Sequence, residues 1–470
     1  MGRRAGRVVG AVVATLLVGA GGYVAADAYD VVPGMLTLEP VPPVQAPFPT
    51  APGAVPAPPP DVAVAHLDAD APMPSPEAVT ALSAALAADS RLGRSVGVVV
   101  TDVLTGQVLA DIDGATPRTP ASTTKVLTAV AATMVLDGDA RITTEVVSAV
   151  PGTIVLVGHG DMLLAPDAGD AGLIDGHAGL GDLARATAAA LQAAGTTQVT
   201  LHLDDTAFAG PSWNPGWHDS HIQYVAPTAA LAVDEGKTRD APYAVRHLDP
   251  AMEAAKAFAA LLRASGITVS DPVRATAPDG ATQLAAVESA TIRELIAHTA
   301  RESDNTIADV LGRLVAIARG DAATLTGATS AVVAEVGTLV DVTGVVLADC
   351  SGLADGTLIP ARVLTDLLVA VSSQAHPELL PAVVDLPISG WQGTLGERYP
   401  SGAGRGLVRA KTGSLPGVTT LAGTVLTTQG RLLAFSVLAD RTTGGGQEGP
   451  RAAIDDYVTQ LALQPVPVAG

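Results

Sequence analysis

The strongest constraint on this 470-residue chain is the order and spacing of three short patterns. They are S-x-x-K at Ser122-Thr123-Thr124-Lys125, S-D-N at Ser303-Asp304-Asn305 and K-T-G at Lys411-Thr412-Gly413. Lys125 and Ser303 are 178 positions apart, so a fold that uses the three together must bring distant segments to one cleft. Each pattern alone is weak: S-x-x-K arises by chance in many chains, and Ser, Asp and Asn all cap helices well. Together, in this order and each in a fitting predicted context, they are specific.

The first pattern opens a helix predicted from about Ser122 to Leu136. Residues i and i+3 share one helix face, so Lys125 reaches Ser122. A serine hydroxyl is a poor nucleophile until a base removes its proton. Lysine becomes that base when burial and nearby cations such as Lys411 depress its pKa. At the helix N-terminus the Ser122 N–H has no intrahelical partner and is free to face a developing oxyanion.

Ser303 and Asn305 fall in the break between helices predicted at Thr291 to Thr299 and Asn305 to Ala318. There Ser303 is placed to relay a proton to a leaving amine, and Asn305 to hold a substrate amide and Lys125. Lys411 to Ser414 precede a C-terminal hairpin, Leu421 to Thr427 with Arg431 to Leu438, and are predicted as an edge strand lining the cleft. Gly413 lets a substrate backbone lie close to that strand. Lys411 and Thr412 suit a carboxylate ligand, and the Ser414 N–H is the expected second oxyanion donor.

Around these patterns the chain reads as an exported α+β protein. Met1 to Arg7 carries three arginines and no acid, and Val8 to Ala26 carries no charge, which is the arrangement of a secretory signal or an uncleaved anchor. Fourteen of the 34 prolines lie between Pro33 and Pro76, a composition that makes an extended spacer rather than a domain. Ser75-Pro76-Glu77 then opens a helix, and Val96 to Val100 with Gln107 to Ile112 read as strands joined at Leu104-Thr105-Gly106. A closing helix is expected from Arg451 to Leu463. Strands at both ends with helices between predict a sheet completed by the C-terminus. Aromatics are only 3% of residues, so the core must be built mainly from Ala, Val and Leu. A net charge of −20 repels phosphate backbones and argues against a nucleic-acid partner.

The trio is that of serine β-lactamases and penicillin-binding proteins, and further segments narrow the likeness. Asp204-Asp205-Thr206-Ala207-Phe208, Pro211 to Trp217, Asp349-Cys350-Ser351-Gly352-Leu353 and Gly390-Trp391-Gln392-Gly393-Thr394-Leu395 resemble the D-alanyl-D-alanine carboxypeptidase/endopeptidase family of low-molecular-mass penicillin-binding proteins, the S13 peptidases. The likeness covers most of Pro76 to Leu463 and includes a long insertion after the first motif.

The resemblance implies a penicillin-binding transpeptidase-like domain, an antiparallel sheet flanked by helices, with a large inserted domain. On this division residues 1–28 are the signal or anchor, 29–76 the linker, 77–143 and 285–466 the two parts of the penicillin-binding domain, and 144–284 the insertion. It implies an enzyme acting on acyl-D-Ala-D-Ala peptidoglycan stem peptides outside the cytoplasm, through an acyl-enzyme on Ser122. Ser122, Lys125 and Ser303 would be catalytic, and Asn305, Lys411, Thr412, Gly413 and Ser414 substrate-binding. No cofactor or metal is implied, and β-lactam antibiotics are the expected covalent inhibitors. A membrane contact is expected only through the N-terminal segment, if it is uncleaved.

Two departures stand out. Cys350 replaces the usual glycine of D-G-S-G-L, at a cost of about 1 kcal/mol or more if φ is positive there. His159 interrupts a Gly-rich turn. Carboxypeptidase and endopeptidase action both remain open. So do a β-lactamase or esterase on the same scaffold, although no glutamate is assignable as a deacylation base, and a catalytically vestigial wall-binding protein. His218 and His221 lack a third metal ligand of suitable spacing. The Asp-rich run from Asp161 to Asp182 reads as solvated rather than calcium-binding. Cys350 has no assignable histidine base.

Overall fold

A computed structural model describes residues 67–399, 401–443 and 446–464; the basic and apolar N-terminal run and most of the proline-rich stretch fall outside them. Five antiparallel strands form the first sheet, in the order Val408–Leu415, Val418–Leu426, Leu432–Ala439, Val96–Asp102, Val108–Ile112. The C-terminal three strands thus complete the N-terminal hairpin, as predicted. β-Branched residues at alternate positions point to opposite faces: Val98 and Val100 enter one core and Val99 the other. Asp102 closes the hairpin by accepting from the Thr105 N–H at 2.8 Å. It also holds Arg431, at the turn between the last two strands, in a buried bidentate pair with contacts of 2.6 and 2.7 Å.

Helices cover both faces. Pro76–Ala87 starts where Ser75 accepts from the Ala78 N–H, with proline in its first turn. It buries Val79 and Leu86 against the C-terminal helix Glu448–Ala462, and Ser83 hydrogen-bonds Tyr457 between the two at 2.8 Å. On the other face Ala361–Ser372 buries Leu364, Leu367 and Leu368 together with the apolar residues of Lys125–Val135. Each such leucine contributes about 1.5–3 kcal/mol of hydrophobic stabilisation.

A second, mixed sheet is built wholly from residues between Arg141 and Thr291. Its order is Val273–Arg274, Gln198–Asp204, Thr153–Gly158, Arg141–Ser148, Thr282–Thr291. The first and last of its strands in the chain, Arg141–Ser148 and Thr282–Thr291, pair antiparallel, so the chain leaves and returns at one place. It returns directly into Ile292–Glu302, whose N-terminus carries a reciprocal cap between Thr291 and Glu294. One residue in the left-handed region, Ser303 with φ 61°, and the capping Asp304 then separate that helix from Asn305–Ala318. That break brings the second motif to the first.

Candidate active site

The first motif is wound more tightly than expected. Ala121–Thr124 is a 3-10 turn running into the helix Lys125–Val135. With about three residues per turn, i and i+3 eclipse one another, and the Lys125 Nζ lies 2.9 Å from the Ser122 Oγ. Thr123 and Thr124 anchor the turn by donating to the Pro120 and Ala121 carbonyls at 2.7 and 2.8 Å. Ala121, just before the serine, has φ 48°, a strained conformation for a residue with a Cβ.

Lys125 is buried and makes three contacts through its amine. Besides Ser122 it donates to the Asn305 Oδ1 at 2.7 Å and the Ser351 carbonyl at 2.8 Å. The Asn305 amide is oriented by its other end, where Nδ2 donates to the Tyr224 carbonyl at 2.9 Å. Asn305 Oδ1 and the Ser351 carbonyl can only accept. When the amine is neutral they take its two N–H bonds, and its lone pair is left facing Ser122. Burial lowers the Lys125 pKa to about 8, against the opposing pull of Asp349, Asp304 and Asp309.

Lys411 lies on the edge strand Val408–Leu415 and donates from Nζ to the Ser303 Oγ at 2.8 Å and to the Thr412 carbonyl at 3.1 Å. Its side chain is fully buried, and burial together with the nearby Lys125 cation pushes its pKa well below the usual lysine range. Thr412 shares a 2.8 Å hydroxyl contact with Thr394. Ser414 accepts from Arg451 of the last helix at 3.1 Å. These groups open on a cleft of about 950 Å³ that Ser122, Ser303, Asn305 and Ser414 line, together with Tyr224, Tyr243 and Leu353.

Against known families, residues 79–241 and 237–461 match the D-Ala-D-Ala carboxypeptidase 3 (S13) family. The chain belongs to that family. A carboxypeptidase of Mycobacterium tuberculosis is 36% identical over 402 residues, covering 83% of this chain and 84% of that protein. Carboxypeptidase DacB of Mycolicibacterium smegmatis is 37% identical over 422 residues, 86% of this chain and 89% of its own. Penicillin binding protein 4 of Haemophilus influenzae shares the fold, with a TM-score of 0.68 at 23% identity over 80% of this chain and 98% of its own. This S13 member is a serine-type D-Ala-D-Ala carboxypeptidase, and its action on cell-wall peptidoglycan is extracytoplasmic.

Set beside the S13 pattern, the motifs expected to converge do so: Ser122, Lys125, Ser303, Asn305, Lys411, Thr412, Gly413 and Ser414 come together around the cleft. Gly413 is packed closely on its Cβ side, where a Cβ would lie 2.1 Å from the Thr420 Oγ1 and 2.7 Å from the Pro120 carbonyl. Burial is the largest cause of the lowered Lys125 pKa, and burial together with the Lys125 cation lowers that of Lys411. Cys350 is not among the residues with positive φ, which in its loop is Gly352 at 80°, so the expected strain is absent. The Cys350 thiol is buried against Gly312, where a Cβ would lie 2.2 Å from its sulfur, and burial pushes its pKa far up.

Asp161 also departs from the sequence reading. It is not solvated but buried in the strand Asp161–Leu164, where desolvation raises its pKa to about 7. His159 pairs with Glu145 at the surface, and His218 with Asp355 at 3.0 Å. No group of three or more candidate metal ligands occurs among the described residues. The sequence reading also gave no role to the Ser351 carbonyl or to Arg451. A backbone carbonyl carries no residue-type signal, and Arg451 reaches the cleft only because the last helix folds back across the first sheet.

Proposed function

We propose that Ser122 is the acylated nucleophile of this carboxypeptidase and Lys125 its general base. Neutral Lys125 takes the Ser122 Oγ proton as the oxygen attacks the carbonyl carbon of the penultimate D-alanine. The N–H groups of Ser122 and Ser414 face the oxyanion. The proton taken by Lys125 is relayed through Ser303, which Lys411 holds, to the departing D-alanine amine. Water then adds to the ester, gives its proton to the again neutral Lys125, and releases the peptide acid from Ser122. Lys411 and Thr412 receive the terminal carboxylate, whose charge draws the Lys411 pKa back up. Asn305 orients the substrate amide, and Gly413 keeps the edge strand against the nucleophile turn. β-Lactams, which present an acyl carbonyl and a carboxylate together, would acylate the same serine.

The observation that carries this reading is the contact of two buried lysines with one serine each, Lys125 with Ser122 and Lys411 with Ser303, the two serines lining one cleft. A β-lactamase reading is less well supported. Glu302 lines the cleft, but no hydrogen bond joins it to Ser122 or Lys125 among the described contacts. Peptide cross-bridge cleavage presents the same D-Ala carbonyl and uses the same residues. Residues 144–284 are read as the inserted domain, and the N-terminal 28 residues as the export signal or anchor, held off by the proline-rich spacer.

Release of D-alanine from a diacylated Lys-D-Ala-D-Ala peptide tests the assignment. Wild type should release it and Ser122→Ala should not, while binding of the peptide persists. Undiminished release by folded Ser122→Ala rules out Ser122 as nucleophile.

A further inference from the structure

The Ser351 carbonyl that accepts from Lys125 belongs to a turn with an unusual interior. Asp349 is 1% exposed and forms no ion pair among the described residues. Its carboxylate is satisfied by neutral donors instead. Oδ1 accepts from the Gly352 N–H at 2.6 Å; Oδ2 accepts from the N–H groups of Leu353 and Ala354 at 3.1 and 2.9 Å, the Ser351 hydroxyl at 2.5 Å and the Trp217 indole N–H at 2.9 Å. A carboxylate has about four lone-pair sites, so this group is fully used by the backbone that follows it and by one distant ring.

The turn so formed is fastened to the nucleophile segment on three sides. Ser351 gives its carbonyl to Lys125, and Cys350 gives its carbonyl to Thr128 one turn along the same helix, at 2.6 Å. Gly352, with φ 80°, packs so closely that a Cβ would lie 2.0 Å from the Ala121 carbonyl and 2.5 Å from the Thr124 Oγ1. Trp217 ties the turn to the cleft wall that carries Tyr224, whose carbonyl orients Asn305. One of the two acceptors that aim the Lys125 lone pair, the Ser351 carbonyl, therefore traces back to one buried carboxylate.

We infer that Asp349 is a positioning residue of the reaction: it shapes residues 349–354 so that the Ser351 carbonyl, with Asn305, points the Lys125 amine at Ser122. The inference rests on the role proposed for Ser122 and Lys125, and goes beyond it to a residue that touches neither substrate nor reacting atoms. Asp349 also acts through space, as one of three carboxylates, with Asp304 and Asp309, that favour the Lys125 ammonium. The other titratable groups that feel it are Asp309, Cys350 and His221, and Lys411 is the other cation beside Lys125.

The test is the second-order rate of acylation by benzylpenicillin between pH 5 and 10, read by intact mass on folded protein. Wild type serves as the control: without acylation at Ser122 the parent reading fails, whatever the variants do. Asp349→Asn keeps the size of the side chain but sets amide donors against backbone donors. Its acylation should fall about tenfold or more, from loss of hydrogen bonds to a charged acceptor. Its acid limb should also move to lower pH than in wild type, because a charge that favours protonated Lys125 is gone. A purely structural residue would lower the amplitude and leave the limb in place, and that result overturns the inference. If Asp349→Asn does not fold, Ser351→Ala decides. It removes one donor and keeps the backbone carbonyl, and a several-fold slower acylation is expected in protein that remains folded. A wild-type rate would overturn the inference.

Discussion

Lys411 reaches Ser303 across 108 positions of chain, its Nζ 2.8 Å from the serine Oγ, in a side chain with no exposed surface. That contact joins the edge strand of the first sheet to the break between two helices and gives the cleft its second lysine–serine pair. A buried amine with a depressed pKa is also a poor permanent cation, so its affinity for a carboxylate depends on what enters the cleft.

From this follows a separation of roles by substrate. Lys411→Ala should lower kcat/KM strongly for a peptide ending in a carboxylate, by the roughly 1.5–3 kcal/mol of a charge-assisted bond, and much less for an analogue lacking that carboxylate. Equal losses on both would mean that Lys411 acts on Ser303 or Lys125 and not on the ligand.

The acylation rate should rise with pH through about 8, where Lys125 loses its proton and becomes the base. Lys125→Ala should acylate about a hundredfold more slowly or worse, the usual cost of removing a general base, while remaining folded. Stopped-flow acylation across pH reads both effects. A rate flat from pH 6 to 9 in wild type contradicts the assignment.

Gly413→Ala tests the packing role found for that glycine. Its Cβ would collide with the Thr420 Oγ1 and the Pro120 carbonyl, forcing the edge strand from the turn that carries Ser122. Overpacking of this kind costs about 1–3 kcal/mol, and acylation should fall with stability. If stability is unchanged and only peptide affinity drops, the glycine serves the substrate after all.

Asp161 makes stability depend on pH in the direction opposite to most carboxylates. Its folded pKa of about 7 lies above the ordinary 3.8. The unfolded chain therefore sheds this proton first, and stability is lost as pH rises from about 4 through 7. Asp161→Asn keeps an acceptor for the Leu163 N–H, which now donates to the Asp161 Oδ1 at 3.0 Å. Relative to wild type, the variant should gain on the order of 4 kcal/mol between pH 4 and pH 8. Urea unfolding at both pH values checks this, and parallel curves would refute it.

Much of this architecture was legible in the chain. Strand runs such as Val96 to Val100 and the Ser75-Pro76 cap carry local signals that packing did not override, and Asn305–Ala318 begins and ends where it was expected. The helix Pro250–Ala264 went unread although Asp249 and Pro250 announce its start, and Leu325–Val336 has too little polar contrast to stand out. In the site, residue types gave the motifs but not their electrostatics. How far burial depresses Lys125 depends on what covers it, and whether Asp161 is solvated depends on the partner of its strand. Gly413 showed only that space was needed there, not what occupies it.

The most direct measurement is intact-mass analysis of the protein after incubation with benzylpenicillin, followed by peptide mapping. One acyl group per chain, located on Ser122 and absent from Ser122→Ala, is the predicted result. Labelling at another residue, or none in folded wild-type protein, would contradict the claim that the turn Ala121–Thr124 presents the nucleophile.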